Sequence, residues 1–164
     1  MSNIDTSRDR VTRVQIFTLT FLRVVIGWHF LYEGLAKLYS PGGWTAELFL
    51  ANAVGPFSAV YKSIATNHTI LMVVDQVNIW ALIIIGLGLF AGIFAKKFAI
   101  LGMGLLFLYY FAYPPFSGYS VSAPVEGSYW IVNKNLIELA AMLVLYWFPS
   151  SDITGLDKYL VKEK

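Results

Sequence analysis

Four long apolar stretches alternate along this chain with polar connections broken by glycine and proline. A helix needs about 20 apolar residues to cross the hydrocarbon of a bilayer, and the pattern predicts spans over about 15–39, 70–95, 98–113 and 129–148. Pro41-Gly42-Gly43 ends the first because proline removes a backbone donor and glycine favours a turn. Residues 44–74 are too polar and interrupted to span. Within them WTAELFLANA (44–53) predicts a short interfacial helix with Trp44 at headgroup level. Gly55-Pro56 breaks it, and 60–65 predicts a further turn before Asn67-His68-Thr69, a capping sequence. The second span turns apolar at Ile79, with Asp75, Gln76 and Asn78 in its first turns, and Lys96-Lys97 is expected to form the tight turn to the third. Pro114-Pro115 stops the third, 116–128 is a Gly/Ser/Pro loop, and Phe148-Pro149 ends the fourth. The expectation is an all-α integral membrane four-helix bundle over 1–150, with short interfacial helices in the outer first loop and a polar tail over 151–164.

Composition sharpens this picture. Of 164 residues 57% are hydrophobic and only 13% charged, against about 25% in a soluble domain. That leaves too little polar surface to cover one soluble core. No cysteine is present, which excludes disulfides, thiol relays and cysteine-ligated metals. Arg8, Arg10 and Arg13, then Lys96 and Lys97, then Lys158, Lys162 and Lys164 fall on alternate connections, while the other two loops hold only Lys62. By the positive-inside rule both termini are cytoplasmic. The basic N-terminus resembles a signal peptide, but the apolar run continues without a small-residue cleavage site, so a retained first span is expected.

The first span is unusual in carrying Arg23, His29, Glu33 and Lys37. At about 100° per residue the last three fall near 240°, 280° and 320° from Arg23, one third of the circumference. Ionisable groups in lipid cost about 2.5–3.5 kcal/mol each, so they are expected to face the bundle interior. The outer ends of the other spans bring Asp75 and Asn78, and Lys134, Asn135 and Glu138 roughly 8–14 Å inward from the start of the fourth. An outward-opening polar pocket is the favoured reading, with His29 a proton carrier beside Glu33. Ion pairs that merely fix helix register are the alternative, and Arg23 has the further option of snorkelling to headgroups. One histidine among carboxylates makes a poor metal site, and His29 with His68 does not suit haem. Tyr109, Tyr110, Tyr113 and Phe116 are expected as an interfacial belt, or else as the wall of a pocket for a ring-shaped ligand. Gly86, Gly88 and Gly92 (GLFAG) allow close helix approach, inside the bundle or between copies of the chain. No phosphate loop, nucleophile elbow or nucleic-acid surface is seen.

The segments LRVVIGWHFLYEGLAKL, with Arg23, Gly27, Phe30, Gly34 and Lys37-Leu38, and NIWALIIIGLGLFAGIFAKK resemble the DoxX family of small four-span bacterial membrane proteins. Pro114-Pro115 and IVNKNLIE (131–138) are closer to its DoxD-like branch, which includes the membrane subunit of thiosulfate:quinone oxidoreductase. The resemblance covers about 15–150. Many relatives carry a carboxylate inside the second span, where 79–85 here has none. The resemblance implies a bacterial inner-membrane partner of an oxidoreductase that hands electrons to quinone. Lys37, Lys134 and Asn135 would donate to the quinone carbonyls, while Glu33, Glu138 and His29 relay protons; Arg23, Asp75 and Asn78 complete the expected ligand-binding set. A bound flavin or a partner would supply electrons. A non-catalytic anchor for a soluble enzyme is the rival expectation. A solute- or lipid-binding transporter is disfavoured by four spans without a broken-helix repeat.

Overall fold

The computed structural model describes residues 13–115 and 129–160. Arg8, Arg10, Phe116, the 116–128 loop, Lys162 and Lys164 lie outside them. The described chain is helical: α1 (Arg13–Leu38), α2 (Glu47–Ala51), α3 (Ser58–Thr66), α4 (His68–Ala91), α5 (Ala95–Ala112), α6 (Lys134–Trp147), α7 (Ser151–Thr154) and α8 (Asp157–Leu160). Three helices, α1, α4 and α5, are long and apolar enough to cross a bilayer, which marks a multi-pass membrane protein. Their outward faces carry Phe21, Trp28, Trp80, Ile84, Leu87 and Leu101, each at least half exposed, as lipid-facing positions do and water-facing ones rarely do. The helix α6 has 14 residues and packs beside α5 and α1.

The long helices contact one another in the cyclic order α1–α4–α5–α6, most extensively within the pairs α1–α4 and α5–α6. Glycine explains the first pair. A Cβ on Gly27 would sit 2.5 Å from the Phe90 nitrogen, and one on Gly34 2.9 Å from that of Ile83. A Cβ on Gly86 would strike the Leu31 backbone. The two backbones therefore touch, the arrangement that small residues permit in membranes. All the GLFAG glycines meet parts of the same chain: Gly88 lies on Phe98, and Gly92 on Arg23 and Gly155. Ile26, Phe30, Leu82, Ile85, Leu89, Leu106, Met142 and Leu145 fill the space between the four helices.

Several boundaries differ from expectation. The α4–α5 turn lies at residues 92–94, not at the lysines. Gly92 takes φ 69°, Ile93 N donates to Gly88 O and Gly92 N to Leu89 O, the paired bonds of a Schellman stop. Lys96 and Lys97 thus fall in the first turn of α5. The fourth helix starts five residues late. Residues 129–132 close a reverse turn with Trp130 at φ 60°, and the Asn133 side chain caps α6 by accepting from Leu136 N. Lys134 and Asn135 therefore sit at the helix start, and Glu138 only about 6 Å along it. Residues 151–160, expected as part of a polar tail, form α7 and α8 and fold back onto the bundle: Leu156 N donates to Ala91 O and Asp157 N to Gly92 O.

The loop between α1 and α4 is held as firmly. Asn67 caps α4 by accepting from Ile70 N, as its sequence position suggests. Val54 N and Gly55 N both donate to Ala112 O, satisfying the last carbonyl of α5. Ala46, Leu50, Ala53, Tyr61, Leu71 and Ala112 form a second small core beneath α2 and α3. The bundle thus has a loop end, with α2 and α3, and a turn end, with α7 and α8.

Candidate functional site

On α1, His29, Glu33 and Lys37 follow one another at four-residue spacing, so they rise as a column toward the loop end. His29 Nε2 lies 3.3 Å from Glu138 Oε1 of α6. Lys37 pairs with the Glu33 carboxylate one turn away, and its ammonium sits 5.4 Å above the Trp44 ring. Lys134 at the start of α6 is near enough to act electrostatically on both Glu33 and Glu138. From α5, Tyr109 donates its hydroxyl hydrogen to Asn78 Oδ1 of α4, and it too feels the Glu33 charge. Asn135 is half-buried in the same first turn of α6. All four long helices contribute a polar side chain to one neighbourhood.

Two expected members lie elsewhere. Arg23 is ten residues below Glu33, about 15 Å along the helix, and only 3% exposed. Its Nη1 donates to Leu89 O at 2.7 Å and to Phe90 O at 3.4 Å, and its Nε to Ser150 Oγ at 3.2 Å. It neither lines the cluster nor snorkels: it caps the carbonyl end of α4 and ties down the segment before α7. Asp75 is buried and accepts from Ala46 N at 2.8 Å, anchoring α2 rather than facing a ligand. Burying such a carboxylate is tolerable because a backbone donor meets it.

The α5 tyrosines are each tied by a hydroxyl hydrogen bond to a neighbouring element, with Tyr110 buried and Tyr113 nearer the surface. Tyr110 donates to Ile131 O and Tyr113 to Phe49 O. Tyr61 donates to Leu108 O, and burial pushes its phenol above the ordinary value, so it stays a donor. The sequence held a clue to this: Ala95, Ala99, Gly102 and Leu106 mark the buried face of α5 at helical spacing, and the stripe continues onto Tyr109 and Tyr110. No local signal announced Asp157, whose carboxylate accepts from Phe94 N at 2.6 Å and Ala95 N at 3.1 Å. It caps α5 from 62 residues away.

Phe49 stands edge-on to Tyr109 at 6.1 Å and against Tyr113 at 4.8 Å, so ring faces and Trp44 border the polar groups on the loop side. Chemically the cluster holds two carboxylates, an imidazole, two ammonium groups and a phenol. It can donate hydrogen bonds, hold a proton between His29 and Glu138, and balance its own charge. Among the described residues, no group of three or more histidine and carboxylate side chains is gathered that would hold a metal ion. Comparison with family models, with curated proteins and with solved structures finds no match to this chain.

Proposed function

We propose that this protein is a four-span membrane subunit of an oxidoreductase, of the DoxX kind and closest to the DoxD-like branch, that binds a quinone at the loop end of its bundle. The observation that carries the reading is the meeting of His29–Glu138, Glu33–Lys37, Lys134 and Tyr109–Asn78 from all four long helices. Register-fixing ion pairs need no such concentration, and each added charge brings its own desolvation cost. The donor set suits a quinone: Lys37 and Lys134 offer hydrogens to carbonyl oxygens, and Phe49, Tyr113 and Trp44 offer ring surfaces. Quinone, when bound, is the two-electron, two-proton acceptor, with electrons supplied by a partner subunit. His29 and Glu138 hold a proton at the imidazole Nε2 and the carboxylate, and Glu33 keeps Lys37 oriented. In this reading α6, about 21 Å long, crosses with the 129–132 turn completing the thickness. In the same reading the turn end, with Lys96, Lys97 and Lys158, and both termini face the cytoplasm, in the bacterial inner membrane that the DoxX resemblance implies.

Titration of the purified protein in lipid nanodiscs with a short-chain ubiquinone, read by tryptophan quenching, tests this, because Trp44 borders the cluster. Lys37→Ala and Glu138→Gln are each expected to weaken binding about tenfold, the loss of one charge-assisted hydrogen bond. Equal affinity in both variants overturns the reading. A second reading, a non-catalytic anchor for a soluble enzyme, draws on the firm loop platform, where Leu48 is 76% exposed above an anchored α2. It wins if a soluble partner co-purifies with both variants and keeps its activity.

A further inference from the structure

The polar cluster opens sideways. Along the α1 column the exposed fraction of the side chain rises with depth: 18% at Lys37, 40% at Glu33 and 43% at His29. A funnel from water at the loop end would give the reverse order. On the loop side Trp44 lies over the Lys37 ammonium. His29 lies nine residues below Leu38, about 14 Å into the helix, among Val25, Trp28 and Tyr32, which are 46%, 55% and 61% exposed. At that depth an apolar wall faces acyl chains, where leaving an ionisable group uncovered is expensive. The joints differ as well. The α1–α4 pair is locked by Gly27, Gly34 and Gly86, and on α5 a Cβ at Gly102 would meet Met142 of α6 at 2.5 Å. Contact between α1 and α6 is much thinner, and the His29–Glu138 pair is its one polar bridge at this level among the described residues.

We propose that the α1–α6 seam is a lateral opening through which a membrane-dissolved molecule with a hydrogen-bonding head reaches the cluster from the bilayer. This rests on reading the cluster as a ligand site. The two glycine-locked pairs act as jambs, and His29–Glu138 is the contact that a ligand head replaces. The test uses the unaltered chain in proteoliposomes and no quinone, so its failure is separate from failure of quinone binding. A phospholipid bearing a mid-chain diazirine is illuminated and adducts are mapped by mass spectrometry. Glu33 or Glu138 is expected at roughly tenfold the yield at Leu89, the contrast between an open side chain and one sealed in a packed core. A water-soluble carbodiimide is expected to modify the exposed Glu47 and to leave Glu138 largely unmodified. Carboxylates labelled from lipid no better than Leu89, or Glu138 modified from water as fast as Glu47, would each overturn the proposal.

Discussion

The two ends of this bundle both bury charge, and they do it differently. At the turn end Arg23 is sealed, with Leu89 O, Phe90 O and Ser150 Oγ around its guanidinium, while Asp157 accepts two backbone hydrogens. At the loop end Asp75 is likewise met by a backbone donor, but Glu33, Glu138 and His29 are met by other ionisable side chains and stay partly open. A charge met by fixed backbone groups is committed to the fold, since removing it strands those groups. A charge met by another half-open titratable side chain keeps freedom to exchange partners. Arg23 and Glu33 are both ionisable and share one helix, yet the first is sealed into the fold while the second stays partly open.

That contrast breaks most visibly at Arg23. Arg23→Ala is expected to cost about 3 kcal/mol by leaving buried acceptors unpaired, measured by unfolding in detergent. Arg23→Lys should recover only part, because one ammonium cannot follow the guanidinium fork. Next comes the α1–α4 contact: Gly27→Val should cost about 2 kcal/mol by forcing apart touching backbones. Asp157→Ala removes the cap of α5 and should cost about 1 kcal/mol, with faster proteolysis after α6 as a second reading of the same loss. Glu138→Gln should change stability by no more than about 0.5 kcal/mol, as partly open polar sites usually do, while still weakening quinone binding. If instead Glu138→Gln destabilises as much as Arg23→Ala, the two ends are equivalent and the loop-end charges are structural.

The long helices and the column on α1 were legible in the sequence because both follow from apolar length and local periodicity. His29, Glu33 and Lys37 recur every fourth residue, and apolar length sets the spans. Depth on α6 was not legible: the aromatic and aliphatic residues at 129–132 look like helix, and only the Trp130 turn and the Asn133 cap show that it begins later. The fates of Arg23 and Asp75 were hidden for a related reason. Each is an ionisable residue in an apolar helix, and nothing nearby in sequence names Leu89 O, Ser150 or Ala46 N as its partner. Tyr109 lay in between, since the small-residue stripe on α5 points to it but its bond to Asn78 is made across helices.

Apolar length and helical periodicity therefore determined a helical membrane chain and a charged face on its first helix, though not where every helix begins and ends. Which charges meet was decided by tertiary packing. Glycines set how closely α1 and α4 approach, a carboxylate near the C-terminus caps a helix 62 residues earlier, and a thin α1–α6 joint leaves His29 and Glu138 facing each other. Such pairings depend on the relative rotation and depth of separate helices. A one-residue change in where a helix starts turns its side chains by about 100°, so they are fixed only once the helices have packed.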